Sequence, residues 1–501
     1  MDAFLELRTR LAEIHDLTKV AAVLSWDQQT MMPELGGPAR AEQLATLRGL
    51  AHERLRSPEI GRLLERLGPL EERSPHDSVE ASLIRVTRRD HERARRVPSA
   101  LRAEMARSSS LGSQAWADAR ARSDYAALVP YLERNVELRR RLIACFDGAE
   151  EPYDVLLEEY EPGMRTSEAR AVLHRLKAGL LPLIAEEREH AEPPPSFLHG
   201  PFALERQRGF ALHLVERMGF DPAAWRLDVT AHPFATSGST GDIRLATRYD
   251  ETRLDEGIFV TMHECGHGLY ERGIGPDLER TPLCRPVSFS VHESQSRLWE
   301  NIVGRGRPFW QHFYPALEAT FPAELAGVGL DAFVSGINRV QPGPIRVGAD
   351  EATYNLHIIM RFEFEQEIVA GSLALTDLPE AWGARMDEYL GVTVPDDAHG
   401  VLQDVHWASG SFGYFPTYAL GNVMAVQLWS AAREALPDLD EQLAEGTLQP
   451  LRAWLGEHIH RHGRKLTPRE TFERAAGGPL DPDAFVLYLR EKLAETRAAA
   501  G

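Results

Sequence analysis

The sequence predicts a mainly α protein, and three observations carry that reading. Apolar residues recur at three- and four-residue spacings over most of the 501 positions. Only one short stretch alternates with the two-residue period of strands. No run of about 18 apolar residues occurs, so no helix is expected to span a membrane.

The elements follow in order. Residues 2–24 place Phe4, Leu5, Leu7, Leu11, Ile14, Leu17 and Val20 at helical spacings. Residues 38–67, 78–105, 125–145, 167–189 and 203–218 repeat the period. Breaks are expected at Gly36-Gly37-Pro38, Ser74-Pro75, Val97-Pro98, Gly148 and Glu161-Pro162-Gly163. The proline cluster Glu192-Pro193-Pro194-Pro195-Ser196 reads as a surface loop within one domain. Between about 225 and 250 the texture changes. Arg226-Leu227-Asp228-Val229 and 242–249 alternate as strands do, with Ser237-Gly238-Ser239-Thr240-Gly241 as a turn between them. This predicts a small hairpin or short sheet set into a helical body. Helical periods then resume, and Thr467-Pro468-Arg469-Glu470 is a capping box with proline at the first helical position.

Composition narrows the partners. Hydrophobic residues make up 43% and charged residues 26%, enough for a large core. Acidic residues outnumber basic ones by 75 to 56, a formal net charge of −19. Such a surface repels phosphate, so neither nucleic acid nor an anionic membrane is an expected partner. The cysteines, Cys145, Cys265 and Cys284, are too few and odd in number for a disulfide framework. They fit a reducing cytoplasm, as does the absence of a signal-peptide pattern at the N-terminus and of a lipidation motif at the C-terminus.

Residues 258–272 read as one helix stopped by Gly273, and inside it lies His263-Glu264-Cys265-Gly266-His267. Residues four apart share a helix face, so both imidazoles can reach one metal. Glu264 falls beside the metal, placed to take a proton from the attacking water. Cys265 points off the histidine face and reads as a packing residue. A catalytic zinc needs a third protein ligand and an open position. Glu271 lies eight residues from His263, about 12 Å along the axis, too far for one straight helix to gather all three. Glu293, 26 positions after His267 on a helix read over 291–300, is the favoured third ligand. Glu300 lies on nearly the same face and is either the rival ligand or a carboxylate orienting a histidine. Imidazole ligands favour zinc over calcium or magnesium, and cobalt fits the same geometry.

These residues stand among further marks: Trp26-Asp27-Gln28-Gln29-Thr30-Met31-Met32-Pro33, His232-Pro233-Phe234, His292-Glu293-Ser294-Gln295, Ile345-Arg346-Val347-Gly348-Ala349-Asp350 and Gly400-Val401-Leu402-Gln403-Asp404-Val405-His406-Trp407. In this order, over nearly the whole chain, they resemble the carboxypeptidase Taq family of metallocarboxypeptidases. One mark departs: where the family has Asp, any, Arg, any, Thr, this chain has Asp242-Ile243-Arg244-Leu245-Ala246, with Thr247 following.

The resemblance implies a large helical body like that of neurolysin and angiotensin-converting enzyme, with a deep cleft, and residues 1–501 as one two-lobed catalytic domain. It implies a cytoplasmic homodimer that removes single residues from peptide C-termini with broad preference. By motif match His263, His267 and Glu293 hold one zinc per chain, and Glu264 is the general base. The oxyanion needs donors besides the metal, and His406 with Tyr414 are the candidates, with Tyr418 the alternative. A carboxypeptidase also needs a cation for the substrate's terminal carboxylate. Arg346 is the first candidate, although it could instead pair with Asp350 four residues on, and Arg244 is the second. His232 joins them as a substrate-binding candidate. Two other readings stay open: an oligopeptidase that cuts internally, and a non-enzymatic peptide-binding scaffold that keeps zinc for stability.

Overall fold

A computed structural model describes residues 2–190 and 195–500. Met1, Gly501 and residues 191–194 lie outside, and with them Glu192, Pro193 and Pro194 of the proline cluster. The first half is helical: α1 (Ala3–Thr30), α2 (Gly37–Leu55), α3 (Pro58–Arg73), α4 (Val79–Arg96), α5 (Ser99–Arg122), α6 (Tyr125–Ile143), α7 (Pro152–Leu157), α8 (Thr166–Glu189) and α9 (Leu204–Met218). Three strands follow, β1 (Trp225–Val229), β2 (Phe234–Ser239) and β3 (Asp242–Thr247). The helices resume with α10 (Leu254–Gly273), α11 (Phe289–Arg297), α12 (Arg307–Thr320), α13 (Leu330–Ile337), α14 (Glu351–Ala370), α15 (Leu378–Leu390) and α16 (Pro416–Ala435). The last four are α17 (Leu439–Ala444), α18 (Gln449–His458), α19 (Pro468–Ala476) and α20 (Pro482–Ala500). One continuous hydrophobic cluster runs from Leu7 of α1 to Leu493 of α20. No helix among the described residues is long and apolar enough to cross a membrane.

Three local expectations are revised. The helix read over 38–67 is two helices, α2 and α3, parted at Ser57-Pro58. Proline holds its predecessor out of the helical region, and Ser57 sits at φ −59°, ψ 142°. In the β region, Ser237 to Ser239 belong to β2, so the turn is tighter than expected. The sheet order is β1-β3-β2: β2 and β3 form the antiparallel hairpin, while β1 pairs parallel to β3, with Leu227 opposite Leu245. Finally, the helix read over 291–300 is α-helical only to Arg297 and continues as a wider π-helical turn over Leu298–Val303. The capping box stands as expected: Thr467 Oγ1 accepts the Glu470 N–H at 3.2 Å, and Glu470 accepts the Thr467 N–H at 2.8 Å.

Candidate metal centre and active site

The site grows from close contact between α10 and α11. Gly266 permits it: a β-carbon there would stand 2.7 Å from Ser296 Cα and 2.8 Å from the Gln295 carbonyl. On the other side of α11, a β-carbon at Gly421 of α16 would stand 2.7 Å from Glu293 Cβ. With α11 held between two glycines, Glu293 reaches the histidine face of α10. His263 and His267 present their rings 4.8 Å apart. Glu293 Oε2 lies 3.8 Å from His263 Nε2 and 3.5 Å from His267 Nε2. One ligand atom from each of the three residues lies within 4.8 Å of the others. Donors about 2.0–2.2 Å from a tetrahedral metal lie roughly 3.3–3.6 Å from one another, so this set fits a metal ion.

Glu300 stands elsewhere. Its Oε2 lies 2.8 Å from His263 Nδ1, the ring nitrogen opposite the converging one. Glu271 lies apart as well: it accepts the Ser237 hydroxyl at 2.7 Å and faces Lys19 at 3.8 Å and His292 at 4.0 Å. Glu264 is buried beside the histidines. Burial pushes its carboxyl above the usual range, with His263 and His267 pulling partly the other way. Cys265 is fully buried packing, its thiol pushed up by burial.

A second cluster lies on the loop before α16. The His406 ring packs 5.4 Å from Tyr414 and 4.5 Å from Phe415, and its Nε2 is 3.4 Å from the Tyr418 hydroxyl. Burial lowers the His406 pKa to about 4, with Asp404 opposing, so the ring is neutral at physiological pH. Burial raises the Tyr414 hydroxyl, and the nearby Glu293 charge raises it further. Arg346 does not pair with Asp350. Asp350 instead caps α14, accepting the N–H groups of Ala352 and Thr353 at 3.0 Å each. Arg346 donates through Nε and Nη2 to Asp404 Oδ1 at 3.0 and 2.7 Å and through Nη1 to the Tyr354 hydroxyl at 3.0 Å. Arg361, fully buried, donates to the other oxygen of Asp404 at 2.7 Å. Two guanidinium groups on one carboxylate leave one positive charge in surplus.

The remaining candidates lie on the sheet. Arg244 makes a two-pronged pair with Asp242, 2.9 Å on each prong, and stacks 4.3 Å from the Trp26 ring, which Arg226 also approaches at 4.5 Å. His232 sits exposed in the turn between β1 and β2. Its pKa is lowered by partial burial and by Arg248 and Arg120. Ala246 is fully buried, and the hydroxyl next to it, Thr247, bonds Thr261 of α10 at 2.8 Å.

Comparison with known proteins bears on this geometry. Residues 6–493 match the model of the carboxypeptidase Taq (M32) metallopeptidases. The chain belongs to that family. It is 42% identical over 490 residues to thermostable carboxypeptidase 1 of Thermus thermophilus, covering 95% of this chain and 96% of the relative. It is 36% identical to carboxypeptidase 1 of Bacillus subtilis, covering 97% and 99%. The M32 carboxypeptidase from Deinococcus radiodurans R1 has the same fold, with a TM-score of 0.95 at 38% identity, covering 99% of this chain and 100% of that one. The chain is thus a metallocarboxypeptidase, a hydrolase of peptide bonds that works with a metal cofactor.

In this M32 chain the sequence reading overlooked the residues that join the two clusters. Arg297 donates to Glu293 Oε1 at 2.7 Å and to Glu300 Oε2 at 3.2 Å. Burial disfavours both carboxylate charges, but Arg297 and the histidines outweigh it. They hold Glu293 well below the usual range and Glu300 at about 2. The spacing of Arg297, four after Glu293 and three before Glu300, was a usable signal. Tyr354 carried none: its ring lies 4.1 Å under Arg297 while its hydroxyl accepts from Arg346.

Glu161, in a predicted chain break, is buried and accepts the Ser290 N–H at 3.2 Å in the first turn of α11. Burial pushes its carboxyl up to about 7. A carboxyl raised in the fold stabilises the protein fully below about pH 4.5 and loses that contribution as pH rises through about 7. Glu161→Gln removes the titration. From pH 5 to pH 8 the wild type should therefore lose stability relative to the variant, by up to about 3 kcal/mol. Thermal melts of both proteins across that window check it, and parallel curves would count against a raised Glu161 pKa.

Proposed function

We propose that this chain is a zinc carboxypeptidase that removes single residues from the free C-termini of peptides with broad preference. We further propose that it acts in the cytoplasm as a homodimer and that residues 1–501 form one two-lobed catalytic unit. The carrying observation is the convergence of two imidazole nitrogens and one Glu293 oxygen beside the buried Glu264 carboxyl. In this reading His263, His267 and Glu293 hold one zinc per chain, for which cobalt can substitute, and Glu300 orients His263. When bound, the zinc lowers the pKa of a water and polarises the scissile carbonyl. Glu264 takes the proton of the attacking water and hands it to the leaving amine. Its raised pKa suits both halves of that exchange. His406 and Tyr414, with Tyr418 behind them, donate to the oxyanion as charge develops on it. The surplus positive charge at Arg346 and Arg361 supports Arg346 as the anchor of the substrate's carboxylate. Arg244, already engaged by Asp242 and Trp26, is the second choice, and His232 contributes at the margin of the substrate.

Metal analysis of Glu293→Ala tests the ligand set. The variant should lose most of its zinc under dialysis that leaves the wild type with one per chain. Full retention moves the third ligand elsewhere, with Glu300 next. Mass analysis of a mixed peptide library tests the activity: ladders shortened one residue at a time from the C-terminus are expected, and internal fragments would mean an oligopeptidase.

A further inference from the structure

We propose that Glu365 of α14 is a positioning residue that sets His406 and Tyr414 in place by clamping both ends of the loop between them. The inference rests on the donor roles proposed for those two residues.

Glu365 is fully buried and is not one of the residues converging on the metal site. Its Oε1 accepts the Trp407 indole N–H at 2.7 Å, and its Oε2 accepts the Gly413 backbone N–H at 2.8 Å. Trp407 directly follows His406, and Gly413 directly precedes Tyr414. One carboxylate therefore ties together the two residues adjoining the two donors. A third donor, the Tyr153 hydroxyl of α7, bonds Oε2 and belongs to no part of the loop.

The loop has little freedom left apart from this tie. The Ser411 N–H bonds the His406 carbonyl at 2.7 Å, closing the segment on itself. Asn135 of α6 donates to the Trp407 and Ala408 carbonyls at 3.0 and 2.6 Å. Gly413 sits at φ +94°, and a β-carbon there would stand 2.6 Å from the Leu156 carbonyl carbon. The Gly413 backbone is thus pressed against α7, and its N–H points to Glu365.

A buried carboxyl met by three neutral donors and no direct cation is an expensive arrangement. Burial pushes Glu365 up to about 7. Glutamine is the nearest neutral replacement, and it fits poorly. It offers one acceptor oxygen where two N–H groups converge from opposite sides, and it turns an NH₂ donor towards one of them. Oxyanion donors act only within about 0.5 Å of their working geometry, so a clamp that holds both at once acts on turnover more than on substrate binding.

The test compares full-length wild type, Glu365→Gln, Tyr414→Phe, the double variant and Tyr153→Phe. The readouts are kcat and KM on one free-acid peptide, metal content and thermal midpoint. Glu365→Gln is expected to lower kcat by about tenfold or more, with metal content unchanged and KM within about threefold. In the Tyr414→Phe background the same change should cost clearly less, because one of the two groups being positioned is gone. Tyr153→Phe, which deletes the donor outside the loop, should stay within about threefold of wild type. Equal losses in both backgrounds, or unchanged kcat in Glu365→Gln, overturn the clamp while leaving the donor roles intact. If Tyr414→Phe alone keeps full kcat, the donor role of Tyr414 fails, and the clamp fails with it. Should Glu365→Gln not fold, Trp407→Phe deletes one of the two clamped N–H groups and is read by the same cycle.

Discussion

Glu264→Gln is expected to keep its metal and lose turnover by about 10²–10⁴-fold, the range general acid–base catalysis supplies. Glutamine has nearly the same shape, so the packing of α10 is undisturbed. It cannot accept a proton, so the attacking water stays neutral and the leaving amine is not protonated. The environment sharpens the expectation. Glu264 is buried, and burial pushes its pKa up, whereas Glu293 and Glu300 are held down by Arg297 and the histidines. Three neighbouring carboxyl groups are thus separated into two that stay charged and one whose hold on a proton is strengthened. Metal content and kcat must be measured on the same preparation. A metal-replete variant with near-normal kcat would remove Glu264 from the proton transfers.

Arg346→Ala is expected to abolish most of the preference for a free C-terminal carboxylate over an amide. The wild type should act poorly on amidated peptides, because the positive charge that Arg346 and Arg361 carry in excess of Asp404 then meets no substrate carboxylate. Truncating one partner of a buried charge pair costs about 2–5 kcal/mol, so kcat/KM on free-acid peptides should fall by roughly 10²–10³-fold. Activity on amidated peptides should change little, and the gap between the two should close. Asp404 keeps Arg361 after the change, so the variant retains a paired carboxylate and is expected to fold. It loses the surplus positive charge. Metal content is the control, because the Tyr354 ring lies between Arg346 and Arg297, which holds Glu293. A wild type that cleaves acid and amide alike has no carboxylate anchor, and the oligopeptidase reading then takes its place. A variant that still discriminates fully points to another arginine, with Arg244 next to test.

What the sequence determined by itself is what short-range geometry encodes. The three- and four-residue periods carried the helical class. The spacing of His263 and His267 placed both imidazoles on one face, because a helix turns every 3.6 residues whatever packs against it. The capping box at Thr467 and the breaks at Pro98 and Gly163 were equally local. The tertiary structure alone decided relations between distant segments. Glu293 and Glu300 share a helix face in the sequence. Which one meets both Nε2 atoms and which meets Nδ1 followed from how closely Gly266 and Gly421 let α11 approach its neighbours, and from the π-helical turn beginning at Leu298. Local spacing offered Arg346 an ion pair with Asp350, but Asp350 met the open N–H groups of α14 while Asp404, 58 positions on, met Arg346. The parallel pairing of β1 with β3 and the Glu365 clamp likewise join residues far apart in the chain. Periodicity fixes which face a side chain takes on its own element. Which partner that face meets is set by packing across the core, where each buried polar group must find a partner and close approach depends on a missing β-carbon.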